Sequence, residues 1–70
     1  MLNVNKLKGK MVEKGFTIEK LSNSLGINPS TFYRKLKNNS FEIGEADEIV
    51  EALGLSAFDA TEIFFAQTVA

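Results

Sequence analysis

Apolar residues recur every three or four positions along most of this 70-residue chain, the spacing that gathers them on one side of an α-helix. The spacing predicts five helices, at roughly 4–14, 18–25, 29–37 and 44–53 and from about 57 onward. No segment alternates apolar and polar residues clearly enough to predict a strand. We therefore expect an all-α fold in which short connections hold the helices in one compact bundle.

Residues typical of helix ends occur at the predicted boundaries. Thr17, Asn28 and Ser56 each carry a side-chain oxygen that can accept an N–H bond from the first turn of a helix. Asp59 follows Ser56 by three residues and would complete a capping box there. Before the fourth helix, Glu42 occupies the position where serine or threonine is the expected cap.

Two short amphipathic helices joined by a sharp turn lie between residues 17 and 37. Gly26 ends the first of them, because glycine lacks the Cβ that clashes in the backbone conformation such a turn needs. Pro29 then occupies the first position of the second helix, where its missing N–H costs nothing. One face of this second helix need not be buried, and it carries Ser30, Tyr33, Arg34 and Lys37. This arrangement is typical of a helix-turn-helix, which presents its second helix to the DNA major groove.

The charges are divided between the two ends of the chain, although the net charge is only −1. Residues 1–40 contain all eight basic residues and two acidic ones, for a net charge of +6, whereas residues 41–70 contain seven acidic residues and no basic one. Such a charge dipole can turn one end of the domain toward phosphates. The alternative is that a small domain has acquired an uneven charge by chance.

The segment from Thr17 to Lys37 resembles the helix-turn-helix of the lambda-repressor/Cro-like family, also called the XRE family. Residues 26–36, with the sequence GINPSTFYRKL, are especially similar to small phage repressors, and the similarity extends over nearly the whole chain. The resemblance implies a lambda-repressor-like bundle in which helices 2 and 3 form the helix-turn-helix. It places the DNA-binding domain at residues 1–65 and leaves residues 66–70 as a C-terminal tail.

The resemblance also implies which residues face DNA, because the family lays helix 3 in the major groove. Arg34 is the strongest candidate for base reading, since its guanidinium can bond O6 and N7 of guanine. The other expected base-reading residues are Asn28, Pro29, Ser30 and Tyr33. Phosphate contacts are expected at the start of helix 2, after helix 3 and in helix 1, from Thr17, Lys37, Asn38, Asn39, Ser40, Lys10 and Lys6.

Lys35 stands at a position where this family usually has an apolar residue. Two explanations are open. Either helix 3 is rotated slightly about its axis, or the Lys35 stem lies on apolar surface while its ammonium group reaches water. The first alternative would shift the face of helix 3 that meets DNA.

Phe64, Phe65 and Val69 place more apolar surface near the C-terminus than one helix face needs. Adjacent phenylalanines point in different directions along a helix. Either the exposed ring contacts a second copy of the chain, which would then bind DNA as a homodimer, or both rings close the core of the monomer. A third possibility is that residues 66–70 begin a linker or tail that leads to a further domain.

The composition argues against several classes of protein. The chain has no cysteine and no histidine, so we expect no disulfide, no metal site and no cofactor. It has no plausible nucleophile–base pair and no phosphate-binding glycine loop, so we expect neither an enzyme nor a small-molecule substrate. No apolar run reaches the roughly 20 residues that cross a bilayer, and the N-terminus lacks an apolar signal core. These features predict a cytoplasmic protein, and the resemblance implies that its setting is a bacterium or a phage-infected bacterial host.

Two functions from different classes remain. The first is a sequence-specific transcriptional regulator, a phage-type repressor or Cro-like protein that binds double-stranded operator DNA through helix 3. The second is a protein-interaction module, antitoxin-like or anti-repressor, that keeps the fold without reading bases. Fold alone does not separate them.

Overall fold

Helices joined by short turns account for most of residues 2–65, the part of the chain that the structure, a computed structural model, describes. They are α1 (Val4–Glu13), α2 (Ile18–Leu25), α3 (Pro29–Asn38), α4 (Ile43–Leu53) and α5 (Ala57–Phe64). The prediction of five helices and no strand is confirmed for these residues, and the predicted ends agree with the observed ones to within one residue. None of the helices in this range is long and apolar enough to span a bilayer.

The turn between α2 and α3 is closed by backbone hydrogen bonds. Gly26 adopts the left-handed conformation, with φ at 71°. The N–H of Gly26 donates to the carbonyl of Asn23, and the N–H of Ile27 donates to the carbonyl of Ser22 at 3.0 Å. These bonds satisfy carbonyls that the end of a helix otherwise leaves unpaired. The turn thereby fixes the direction in which the chain leaves α2 and enters α3.

Replacing Gly26 with alanine is expected to destabilise the domain by about 1–2 kcal/mol, because a Cβ in the left-handed region clashes with the following carbonyl oxygen. The site itself has room, since nothing lies within 4 Å of a Cβ built there, so the cost comes from the backbone alone. Gly9, inside α1, is the matched control and also has nothing within 4 Å. Gly9→Ala should stabilise the protein by about 0.5–1 kcal/mol. Urea unfolding measures both, and equal effects would contradict this account of the turn.

The first turns of α4 and α5 are capped by different groups. Before α4, the Glu45 carboxylate accepts the Glu42 N–H at 2.9 Å, which is the usual role of a glutamate at the third helical position of a capping box. Glu42 takes the place of the expected serine or threonine in that box. Before α5, Ser56 Oγ accepts the Asp59 N–H at 3.0 Å, as predicted. The predicted capping box is only half formed there, because the Asp59 carboxylate pairs with Lys10 of α1 instead.

The core lies where α2 packs against α3 and α4 and where α1 packs against α5. Leu21, Phe32 and Ile49 have no exposed surface, and the Phe41 ring meets Phe32 edge to face with centroids 5.2 Å apart. Ser22, also fully buried, donates from its hydroxyl to the Ile18 carbonyl at 2.6 Å, so its polar atom is satisfied. The remaining buried apolar residues are Leu2, Leu7, Met11, Leu36, Leu53, Leu55 and Ile63.

The N-terminal segment ties the loop after α3 to the last helix. The Asn3 N–H donates to the Ile63 carbonyl at 2.7 Å, and the Leu2 N–H donates to Asn39 Oδ1 at 2.6 Å. Asn39 ends α3 with a positive φ of 55°, a conformation that asparagine tolerates better than most residues. The backbone just after α3 is therefore held in place from outside the helix-turn-helix.

Candidate nucleic-acid interface

The two sides of α3 have opposite environments. Phe32 and Leu36 are buried on one side. The residues on the other side are exposed, as the sequence predicted, namely Ser30, Tyr33, Arg34 and Lys37. The ten residues of α3 give an exposed face about 15 Å long at 1.5 Å per residue. An α-helix is about 10–12 Å across with its side chains, so α3 fits the DNA major groove, which is about 12 Å wide.

Arg34 lies near the middle of this exposed face. Among residues 2–65, its side chain has neither an ion pair nor a hydrogen bond. Its five N–H donors therefore keep their hydrogen-bonding capacity for another molecule. A planar guanidinium in this state suits bidentate contact with a carboxylate, a phosphate or a guanine edge.

The start of α3 is organised by Asn28. Its Oδ1 accepts the Ser30 N–H at 2.9 Å and also the Ser30 hydroxyl at 2.8 Å. The capping role expected of Asn28 is thus observed, and it uses the side-chain oxygen. Because the Ser30 hydroxyl proton points to Asn28, the oxygen of Ser30 can accept a bond from outside. Pro29 between them is half-buried.

Lys35 joins α3 to α4 through an ion pair. Its Nζ lies 2.9 Å from Glu45 Oε1, and the two side chains are only 16% and 18% exposed. Burial would raise the pKa of the Glu45 carboxyl, but the Glu42 N–H and the Lys35 ammonium together hold that pKa below its usual value. Neither explanation considered for Lys35 is needed: α3 keeps Phe32 inward, and the ammonium meets a carboxylate. The sequence offered no signal for this pairing, since ten residues and a turn separate the partners.

Two of the three lysines of α1, Lys6 and Lys10, are paired with carboxylates. Lys6 Nζ lies 2.9 Å from Glu62 Oε1 and 3.4 Å from Asp59, and Lys10 Nζ lies 3.1 Å from Asp59 and 3.4 Å from Glu13. The hydrogen bond to Glu62 raises the pKa of Lys6, and the bond to Asp59 raises that of Lys10. These two lysines therefore connect α1 to the acidic α5, and their charges are locally balanced.

The Asp59 ion pairs should make stability depend on pH. The Lys10 hydrogen bond holds the pKa of the Asp59 carboxyl below its ordinary value of 3.8, despite the opposing effect of burial. The stabilisation is then complete above pH 3.8 and is lost as pH falls through the lower folded pKa. It is also lost at high pH, as Lys6 and Lys10 deprotonate above 10.5. We expect Asp59→Asn to lower the free energy of unfolding at neutral pH and to match the native chain in strong acid.

Urea unfolding across pH tests this expectation. Asp47→Asn is the matched control, because Asp47 is exposed and has no ion pair among residues 2–65. It should follow the native pH profile. A constant difference between Asp59→Asn and the native chain from neutral to strongly acidic pH would contradict the assigned ion pairs.

Four basic residues in the described range have no ion pair and no ring contact: Lys8, Lys14, Arg34 and Lys37. Lys20 lies over the Phe16 ring, 5.0 Å from its centroid. The carboxylates that have no ion pair among residues 2–65 lie mostly on α4, at Asp47, Glu48 and Glu51. Within these residues the charge division of the sequence therefore survives folding, with unpaired positive charge on α1 and α3 and unpaired negative charge on α4.

The remaining expected phosphate contacts lie at the ends of α2 and α3. Thr17 caps α2, and its hydroxyl oxygen accepts the Lys20 N–H at 3.0 Å. Asn38, the last residue of α3, and Ser40 beyond it are exposed, and the Ser40 N–H donates to the Lys35 carbonyl. The Asn39 side-chain oxygen is already bonded to the N-terminal segment. Asn39 thus has a structural role that the sequence did not reveal.

An apolar groove lies between the start of α4 and the end of α5. Phe64 is half-buried and packs against the core, whereas Phe65, just past the end of α5, is 49% exposed. Ile43, which the sequence did not single out, is 78% exposed. The groove is lined by Leu2, Asn39, Phe41, Glu42, Ile43, Ala46, Phe64 and Phe65. Val69 and the predicted tail at 66–70 lie outside the described residues.

The comparisons with known proteins address the family directly. Searches of curated proteins and of solved structures return no match. A family model described as the Cro/C1-type HTH DNA-binding domain matches residues 6–63, a range that includes the turn at Gly26 and the whole of α3. The resemblance predicted from residues 17–37 is thereby confirmed. The chain belongs to the Cro/C1-type family of helix-turn-helix DNA-binding domains.

Proposed function

We propose that this chain is a sequence-specific transcriptional regulator, a phage-type repressor or Cro-like protein that binds operator DNA through α3. Repression follows when the protein occupies an operator that overlaps a promoter. The observation that carries the proposal concerns Arg34. Its guanidinium is exposed and has no protein partner among residues 2–65, and the opposite side of its helix is buried.

The contacts that hold α3 in place favour base reading over non-specific attachment to DNA. Phe32 is fully buried, and the Lys35–Glu45 ion pair joins the same helix to α4. A reading side chain needs a backbone held in a defined orientation, because a bidentate contact with a base edge tolerates little displacement. We propose that Arg34 pairs with guanine, while Ser30, Asn28 and Pro29 contact neighbouring base edges or sugars. Tyr33, at the edge of the same face, contacts a base, a sugar or a phosphate.

Phosphate contacts fix the register of the protein on the duplex. We propose them at Thr17, where the first N–H groups of α2 favour an anion. Further phosphate contacts are proposed at the end of α3 and just beyond it, from Lys37, Asn38, Asn39 and Ser40. Lys6 and Lys10 contribute less, because each is paired with carboxylates of the same chain. Their remaining role is weak attraction at a distance, which salt screens.

We further propose that two copies bind together on DNA through the groove at Ile43, Phe64 and Phe65. A side chain of isoleucine that is 78% exposed beside two phenylalanines provides an apolar surface of the kind that a second copy covers. A dimer of this family type contacts half-sites about one helical turn apart.

A second function, the protein-interaction module, is favoured by the same groove and by the exposed carboxylates of α4. An apolar groove, together with a helix that exposes Asp47, Glu48 and Glu51, suits a basic partner protein as well as a second copy. In this alternative, α3 keeps its shape but meets no bases.

Titration of labelled genomic DNA fragments with the protein at two salt concentrations separates the two functions. A regulator should bind some fragments more tightly than others, and its affinity should fall steeply as salt rises, because counterions are released from each neutralised phosphate. Weak binding that does not respond to salt would overturn the proposed function and favour the interaction module.

A further inference from the structure

We propose that Lys8 of α1 is a phosphate-binding residue that acts together with Tyr33 and Lys37 of α3, so that the DNA-binding surface extends onto α1. This inference rests on the proposed function. It assigns a DNA-binding role to a lysine that neither its position in the sequence nor the resemblance to the family singled out.

Two adjacent grooves between α1 and α3 carry the inference. The first is lined by Val4, Lys8, Tyr33, Leu36 and Lys37. The second also contains Lys8 and Tyr33 and continues past Val12 to Thr17 at the start of α2. Lys8 and Tyr33 therefore stand at the boundary of both grooves. They link the exposed end of α3 with the first turn of α2, where a phosphate contact is already proposed.

The first groove is chemically suited to an anion. The described residues that line it provide two ammonium groups and a phenol and no carboxylate. Two like charges beside one groove repel each other when nothing lies between them, and they concentrate positive potential there. An anion with several oxygens, such as a backbone phosphate, relieves that repulsion and accepts charge-assisted bonds.

Lys8 differs from the other two lysines of α1 in the groups that it faces. Lys6 and Lys10, two residues before and after it, turn to the carboxylates of α5. Two positions along a helix correspond to a rotation of about 200°, so Lys8 emerges on the other side of α1. There it meets α3, and it has no carboxylate partner among residues 2–65.

Tyr33 connects this cluster to the reading face. It precedes Arg34 by one residue and is 57% exposed. Because consecutive helix positions differ by about 100°, Tyr33 stands at the α1 edge of the face whose middle is Arg34. A DNA strand whose phosphates lie at Lys8, Tyr33 and Lys37 then borders the base edges that Arg34 meets. In this arrangement Lys8 and Lys37 each neutralise one phosphate, and the Tyr33 hydroxyl donates to one of them.

The test compares Lys8→Gln with Lys14→Gln, which removes the same charge at the end of the same helix. Lys14 is the C-cap of α1 and is exposed; it has no ion pair among residues 2–65 and is not one of the described residues that line either groove. The probe is a duplex selected from a random-sequence pool by the native protein, together with an unrelated duplex. Affinity is measured over a series of salt concentrations, and thermal unfolding of each variant verifies that it is folded.

Lys8→Gln should weaken binding to both duplexes by the same factor and lower the slope of log affinity against log salt by about 0.9, the value for one phosphate. Lys14→Gln should leave that slope unchanged. If the two variants have the same slope while the native protein binds DNA, the Lys8 inference is wrong and the proposed function stands. A native protein that shows no salt-dependent binding overturns both. Loss of preference between the two duplexes in Lys8→Gln would make Lys8 a base reader and also contradict the inference.

Discussion

Replacing Phe32 with alanine is expected to remove a large part of the domain's free energy of unfolding. Phe32 has no exposed surface and packs edge to face against Phe41 on the buried side of α3. Truncating a buried phenylalanine typically costs about 3–5 kcal/mol, as lost burial plus the cavity left behind. Stabilities of 0.05–0.15 kcal/mol per residue give a domain of this length only about 4–10 kcal/mol in total. Circular dichroism during urea unfolding measures the loss.

Phe58→Ala is the matched control, because it removes the same side chain from a position that is 68% exposed. The Lys6 ammonium lies 5.2 Å from the Phe58 ring centroid, a contact worth about 0.5–1 kcal/mol at an exposed site. The control should therefore remain folded. Comparable losses in the two variants would show that Phe32 is not the centre of the core.

Replacing Arg34 with alanine is expected to reduce affinity for the preferred DNA sequence by about 1–3 kcal/mol and to relax the preference at one base position. Stability should hardly change, because Arg34 is exposed and has no partner among residues 2–65. Competition binding against duplexes with single base-pair changes measures the effect. If the alanine variant keeps both its affinity and its base preference, Arg34 is not a reader.

Arg34→Lys separates charge from geometry. Lysine keeps the positive charge but lacks the planar fork that matches two acceptors of guanine. The variant should retain the salt dependence of the native protein and lose most of its discrimination at that base position. Equal discrimination by arginine and lysine would indicate that residue 34 contacts a phosphate.

Local signals in the sequence were sufficient for the helices and for the turn. Thr17, Gly26 and Pro29 each have a preferred place at a helix end, and the structure has them there. Spacing also separated Phe32 and Leu36 from the exposed side of α3. These inferences succeed because they depend on neighbours within one or two turns, whose relation the helix itself fixes.

Contacts between helices could not be predicted from the same local signals. The pairing of Lys35 with Glu45 and of Lys10 with Asp59 depends on how the core brings α3 to α4 and α1 to α5. Net charge along the chain cannot say which lysines are balanced within the protein. Asp59, predicted as part of a helix cap, turned instead to a lysine distant in sequence. That Lys8 has no ion pair among residues 2–65 became clear only once these pairs were known.

Selection of binding sites from random double-stranded DNA, followed by footprinting of the best sequence, tests most directly the claim that α3 reads bases. If α3 reads bases, the native protein should enrich a defined sequence containing guanine and protect two related half-sites whose centres are about one helical turn, roughly 34 Å, apart. Arg34→Ala should enrich a sequence that has lost the guanine. Recovery of no common sequence by the folded native protein would contradict the claim.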